Sequence, residues 1–311
     1  MRRPPARSSS AALLSGASAV FLCGCSTART AAPSADDASV AVDSSTDAGV
    51  DGAAVTSADT GAEGGAEPDA GAGPDARADA ADGAPPYDPC PPPGTPCRVM
   101  PLGDSITAGF LSSTQGGYRV PMFDSAFKAG KAITFVGSQT SGPTTLDGVP
   151  FPQQNEGHSG YTIDDGGGRS GLQPLVQSAI QTYHPNIVTL MIGTNDVGIQ
   201  LDLVNAPARL GKLMDTILAT DPGLLLVVAQ ITPTQDDTGN TRVQAYNAAI
   251  PGLVAARARS GKHIASVDMY GALTANASYK TAYLADALHP NDAGFVIMSG
   301  VWYSAIGGLF R

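Results

Sequence analysis

The chain has 311 residues, of which 15% are charged, with 37 Gly, 24 Pro and a net charge of −10; soluble chains average about a quarter charged. The charge is unevenly placed: residues 1–25 hold three Arg and no acid, residues 26–88 hold 13 Asp/Glu against two Arg, and residues 89–311 sum to −2. A nearly neutral C-terminal part argues against a nucleic-acid partner, which needs a basic face. No apolar run reaches the roughly 18 residues that a membrane span requires.

In chain order, Arg2, Arg3 and Arg7 precede a mostly apolar stretch from Ala11 to Gly24, the pattern of an export signal rather than a spanning helix. Its end, Leu22-Cys23-Gly24-Cys25, resembles a bacterial lipobox. That resemblance implies lipidation of Cys25 and anchoring through acyl chains alone; Ser26 as the next residue favours the outer membrane. The alternative is ordinary cleavage and release. Residues 26–88 consist mostly of Ala, Asp, Gly, Ser and Thr, with no aromatic residue before Tyr87. Such a segment buries too little apolar surface to offset chain entropy, so a disordered acidic tether is expected. Cys90 and Cys97 bracket Pro-Pro-Pro-Gly-Thr-Pro. In an oxidising compartment they are expected to close a small disulfide loop at the entrance to one folded domain, residues 89–311.

Within that domain, five apolar runs read as strands: Arg98–Leu102, Ile133–Val136, Ile187–Ile192, Leu224–Ile231 and Ile264–Val267. Helical spacing links Val243, Tyr246, Ile250, Leu253 and Val254, with a kink expected at Pro251. Leu203–Ala219 and Asp292–Leu309 also read as helices. Alternating strands and helices imply a five-stranded parallel sheet covered on both faces. In such α/β sheets the site lies beyond the carboxyl ends of the strands. Four segments there carry chemistry: Gly103-Asp104-Ser105-Ile106-Thr107-Ala108-Gly109, a loop at Asn155-Glu156-Gly157-His158-Ser159-Gly160-Tyr161, Gly193-Thr194-Asn195-Asp196, and Asp286-Ala287-Leu288-His289-Pro290-Asn291.

A serine hydroxyl needs a base to become a nucleophile, and a histidine base needs its tautomer fixed by a carboxylate. Ser105, His289 and Asp286 supply those three groups. A tetrahedral oxyanion needs preorganised donors; the Ser105 and Gly160 backbone N–H groups and the Asn195 amide are suited to it. Taken singly, each segment also reads as a turn or a helix cap. Their order, each after a strand, is what gives them weight.

On these residues the chain resembles the SGNH (GDSL-type) hydrolase superfamily, with Ser105 in its first block, Gly160 in the second, Asn195 in the third and Asp286 with His289 in the fifth. Longer strings are similar to the third carbohydrate esterase family, typified by acetyl xylan esterases: Met-Pro-Leu-Gly-Asp-Ser-Ile-Thr (100–107), Gly-Gly-Tyr-Arg (116–119), Phe-Val-Gly-Ser-Gln (135–139), Glu-Gly-His-Ser-Gly-Tyr-Thr-Ile (156–163), Met-Ile-Gly-Thr-Asn-Asp-Val (191–197) and His-Pro-Asn-Asp-Ala-Gly (289–294). The resemblance implies a flavodoxin-like three-layer α/β/α sandwich. It also implies metal-free and cofactor-free removal of O-acetyl groups from polysaccharide. The expected partners are an acetylated polysaccharide or oligosaccharide and, through the lipid anchor only, a membrane; the chain is expected to act as a monomer.

Tyr118, Arg119 and His158 are candidate sugar contacts. Arg119 reads equally well as a structural clamp, and His158 as a brace of the oxyanion loop. Asp104 and Asp196 are expected to brace loops, and His184 and His263 to be structural. The rival readings are a GDSL-type lipase, lysophospholipase or thioesterase, and a catalytically silent carbohydrate-binding surface lipoprotein.

Overall fold

The computed structural model describes residues 87–311. The export signal, Cys25 and residues 26–86 of the expected tether lie outside the described residues. Tyr87 and Asp88, assigned to the tether from composition, are instead fastened to the folded domain. The Tyr87 ring stacks on His263 with 3.4 Å between centroids, its hydroxyl donates to the Gly223 carbonyl, and Asp88 pairs with Arg311. A disulfide joins Cys90 to Cys97 with their Cα atoms 5.0 Å apart, and both cysteines are buried in the core cluster.

The strands are β1 (Cys97–Gly103), β2 (Ile133–Phe135), β3 (Gln139–Thr140), β4 (Thr145–Leu146), β5 (Val149–Pro150), β6 (Gln154–Gly157), β7 (Ile187–Met191), β8 (Leu225–Ala229) and β9 (Ile264–Val267). Seven of them form one sheet in the order β3-β6-β1-β7-β8-β9, with β2 also paired to β1, while β4 and β5 form a separate two-stranded ribbon. Five parallel positions are therefore present, but the second is shared. Cys97–Val99 of β1 face β2, whereas Leu102 and Gly103 face Glu156 and Gly157 of β6. Asn155–Gly157, read from sequence as loop, is thus sheet. The break between β2 and β6 falls at Gly137, whose φ is +147°, and a Cβ there would lie 2.3 Å from the Asn155 backbone. Only glycine lets the chain leave the sheet and return so closely over itself. The one departure from parallel pairing in this sheet is the short edge strand β3, antiparallel to β6.

The helices are α1 (Ser105–Ala108), α2 (Arg119–Lys128), α3 (Val176–Tyr183), α4 (Thr194–Gly198), α5 (Ala206–Thr220), α6 (Asp237–Arg259), α7 (Met269–Thr274), α8 (Tyr279–Ala282) and α9 (Asp292–Ile306), which a 3₁₀ turn follows at Gly307–Leu309. Helices α2, α7 and α9 pack together on one side, and α3, α5 and α6 on the other. Helix α5 begins three residues later than its apolar pattern because Pro207 fits only the first turn. Helix α6 continues through Pro251, which is solvent-exposed; a proline ring on the wet side disturbs no core contact. Every residue of β7 is buried, as is all of β1 except Arg98, the pattern of strands covered on both faces. Trp302 and Phe295 of α9 and Met100 and Leu102 of β1 are among the fully buried side chains. Among the described residues, no helix is long and apolar enough to cross a membrane.

Candidate active site

Strand β1 ends at Gly103, which sits in register with Gly157 of β6 and Met191 of β7. The segments carrying Ser105, Gly160 and Asn195 therefore leave three adjacent strands at one edge of the sheet. Asp104 caps the short helix α1, its Oδ1 accepting from the Ile106 N–H. Ser105 is the first residue of that helix, where a backbone N–H has no intrahelical acceptor.

His289 arrives from the other end of the sequence. Its Nε2 lies 3.0 Å from Ser105 Oγ, and its Nδ1 lies 2.9 Å from Asp286 Oδ2. A carboxylate can only accept, so Nδ1 carries the proton and Nε2 accepts from the serine hydroxyl. The turn that makes this possible is tight: Asp286 Oδ1 accepts the Leu288 and His289 backbone N–H groups, and Ala285 N–H donates to the His289 carbonyl. Burial pushes the Asp286 carboxyl up, but those two N–H donors and the His289 ring outweigh it and hold the group below the usual aspartate value. Helix α9 starts just afterwards under its own cap, Asn291, which accepts from Gly294 N–H. Asp286 is thus left to the histidine rather than used as a helix cap.

The oxyanion candidates occupy the facing rim. Gly160 has φ +82°, and its N–H donates to no protein acceptor among the described residues. Its carbonyl instead accepts from Arg169 Nη1 at 3.0 Å, which fixes the Gly160–Tyr161 peptide that follows it. Asn195 Nδ2 donates to the Tyr161 carbonyl at 2.9 Å; an amide nitrogen carries two hydrogens, so a second remains to be given. Asp196 behind it is buried, accepts from Ile163 N–H and pairs with Arg209. Burial raises the Asp196 carboxyl above its ordinary value despite that arginine. Asp104 is also fully buried, and burial lifts its carboxyl from 3.8 to about 6 against the opposing effects of the Ile106 N–H, Thr194 and His289.

The sugar-contact expectation fails for Tyr118 and Arg119, whereas the alternative readings, Arg119 as a clamp and His158 as a brace, hold. Tyr118 and Arg119 are not sugar contacts, because both are completely buried. Tyr118 packs near Trp302. Arg119 donates to the carbonyls of Ala108, Ser141 and Gln153 and to Ser141 Oγ. It is a clamp joining the nucleophile segment to the 141–153 loop, and burial brings its guanidinium down to about 10, leaving it charged at neutral pH. His158 is also committed elsewhere: its Nε2 lies 2.7 Å from Glu156 Oε1, and its ring stacks on Tyr161 at 4.7 Å. Glu156, buried on β6, also accepts from Ser138 N–H and Oγ. Burial pushes the Glu156 carboxyl up, but the bonds from His158 and Ser138 prevail and keep it below its ordinary value. The chain of contacts Glu156–His158–Tyr161–Asn195 thus ties two oxyanion candidates to the sheet.

Sequence reasoning missed Phe110. Its ring meets the His289 ring edge-on at 4.8 Å between centroids, and half of its surface is exposed. No periodicity singles it out; its only signal is its place one residue past the Gly109 that ends α1. Phe110 lines a cleft of about 590 Å³ with Ala108, Leu111, Gln115, Ser141 and Ser159, within the roughly 300–1,000 Å³ of small-molecule sites.

Comparison with known proteins gives the family and the fold. The model of the GDSL-like lipase/acylhydrolase family matches residues 102–297. A multidomain esterase of Ruminococcus flavefaciens is 31% identical over 235 residues, which is 69% of this chain and 29% of that protein. The chain spans 29% and 53% of the lengths of the two curated relatives it matches. Among solved structures, a family 3 carbohydrate esterase of Clostridium thermocellum shares 30% identity with a TM-score of 0.59, over 69% of this chain and 98% of that one. One from Talaromyces cellulolyticus shares 25% identity with a TM-score of 0.57, over 68% of this chain and 97% of that one. The fold is that of the SGNH hydrolases, and the chain belongs to the GDSL-like lipase/acylhydrolase family.

Proposed function

We propose that this chain is a serine esterase that removes O-acetyl groups from a polysaccharide by way of an acyl-enzyme. The observation that carries the reading is the relay from Ser105 Oγ to His289 Nε2 (3.0 Å) and from His289 Nδ1 to Asp286 (2.9 Å), with Phe110 of the neighbouring cleft against the His289 ring. His289 takes the Ser105 proton as the oxygen attacks the acetyl carbonyl, and Asp286 holds the tautomer and stabilises the imidazolium. The Ser105 and Gly160 N–H groups and the Asn195 amide receive the developing oxyanion. His289 then gives its proton to the departing sugar oxygen, and water, activated by the same imidazole, releases acetate. The carbohydrate part of the reading is supported by the likeness to the two family 3 carbohydrate esterases.

The test is hydrolysis of 4-nitrophenyl acetate and release of acetate from acetylated xylan. Ser105→Ala is expected to lower both by at least about a thousandfold, as loss of a nucleophile does, with the melting temperature retained. Activity near wild type would refute the nucleophile. In a series of 4-nitrophenyl esters the two-carbon acyl group is expected to be preferred; a preference for eight or more carbons would favour a lipase. We further propose that the enzyme is exported and lipidated at Cys25. The Cys90–Cys97 disulfide supports an oxidising compartment, and loss of fatty-acid labelling in Cys25→Ala tests the anchor.

A further inference from the structure

Two large apolar side chains stand exposed side by side at the cleft, Phe110 (50%) and Leu111 (44%). Leu111 has a φ of +64°, a left-handed conformation that a branched side chain adopts at an energetic cost. The segment is held there firmly. Phe110 N–H donates to the Ser105 carbonyl, Ser112 Oγ donates to the Gly109 carbonyl and accepts from Gly117 N–H, and Ser113 N–H donates to Asp292 Oδ1. Strain retained to display apolar surface in water indicates a ligand for that surface.

The chemistry of the relay says which part of the substrate it meets. The acyl oxygen must point to the donors at Gly160 and Asn195. The leaving oxygen must lie within reach of His289 Nε2, which protonates it. Phe110 rests against the His289 ring, so it borders the leaving group and not the acyl group. For a carbohydrate ester the leaving group is a pyranose, one face of which presents a row of C–H bonds while its rim carries hydroxyls. We infer that Phe110 and Leu111 form a platform for the C–H face of a sugar ring, with Gln115 and Ser159 of the same cleft meeting ring hydroxyls. This inference rests on the proposed esterase reading for its orientation, and it assigns a saccharide subsite on the leaving-group side.

The experiment measures binding without catalysis. The full chain carrying Ser105→Ala is titrated calorimetrically with unacetylated xylo-, manno- and chito-oligosaccharides. One of these series is expected to bind, and adding Phe110→Ala or Phe110→Leu is expected to weaken it about tenfold, whereas Phe110→Tyr, which keeps an aromatic face, retains it. Leu111→Gly is expected to weaken binding severalfold without lowering the melting temperature, since glycine relieves the positive φ. Failure of all three series to bind, or equal affinity in the Phe110→Ala and parent proteins, overturns the subsite. So does a Phe110→Ala protein that loses discrimination among 4-nitrophenyl esters of different acyl length, which would assign the platform to the acyl chain. The Ser105→Ala ester assay involves no saccharide, so the esterase reading and the subsite stand or fall separately.

Discussion

The buried carboxyl of Asp104 sets a measurable pH dependence of stability. It is fully buried beside Ser105, with one oxygen on the Ile106 N–H and the other, Oδ2, without a hydrogen-bond partner among the described residues. In the folded chain it keeps its proton up to about pH 6, against an ordinary 3.8. Between those values the folded state binds more protons than the unfolded state, so stability falls as pH rises through that window. The difference amounts to about 3 kcal/mol, fully expressed above about pH 7 and absent below about pH 4. Asn at this position keeps the shape and the capping oxygen but carries no charge. Asp104→Asn is therefore expected to raise the melting temperature at pH 8 by roughly 5–10 °C for a domain of this size, with the gain vanishing near pH 4. Calorimetric or circular-dichroism melts of both proteins from pH 4 to 8 read this directly. A difference between the two that does not change with pH, or one that favours the wild type more strongly at pH 8, would refute the reasoning. It would mean that His289 and the start of α1 together compensate the buried charge.

Asp286→Asn should cut kcat for 4-nitrophenyl acetate by a thousandfold or more with KM little changed, as expected when the histidine tautomer is no longer fixed; a loss under tenfold would remove Asp286 from the relay. Glu156→Gln should lower stability by about 2 kcal/mol, since it strips the charge from a buried carboxylate that accepts from Ser138 and bonds His158. It should also lower kcat about tenfold at constant KM through the Tyr161–Asn195 contact, roughly 1.4 kcal/mol of transition-state stabilisation. Unchanged kcat in the folded variant would confine the pair to structure. Replacing Cys97 by Ser opens a loop whose ends are seven residues apart and should cost about 2–3 kcal/mol on chain-entropy grounds, read as a lower melting temperature that matches that of the reduced wild type.

On the proposed reading, a carbohydrate ester is told from other esters by its leaving group, because an acetyl group is small and alike in every substrate. The inferred platform is placed on that side, with Phe110 against the base and Leu111 next to it in the chain. Arg119 has a part in this although it never meets solvent. By tying Ala108 to Ser141 it holds two walls of the cleft at a fixed distance, and loss of its side chain would take the donor from the Ser141 carbonyl, while those of Ala108 and Gln153 keep others.

The parallel frame was legible from sequence, because buried strands write continuous apolar runs, and Ser105 and Asn195 stand just past two of them; Gly160, Asp286 and His289 were singled out by their motifs, since β6 is short and polar and a helix, α8, precedes Asp286. Asp286 and His289 were legible as a pair because three residues of tight turn leave them few ways to avoid each other. What periodicity does not carry is the direction in which a loop side chain points. Tyr118 and Arg119 look like polar rim residues in one dimension, yet both are core: the 141–153 segment takes up the Arg119 guanidinium, and Tyr118 packs near Trp302. His158 follows a strand that sequence could not see, since Gln154–Gly157 is short and polar and is recruited to the sheet only by pairing with the end of β1. Phe110 gained its meaning from a histidine 179 positions away. Local sequence, through burial and turn chemistry, determined which residues reach the edge of the sheet. The long-range closure of the chain, which no local propensity encodes, decided which of them face the cleft and which brace it from behind.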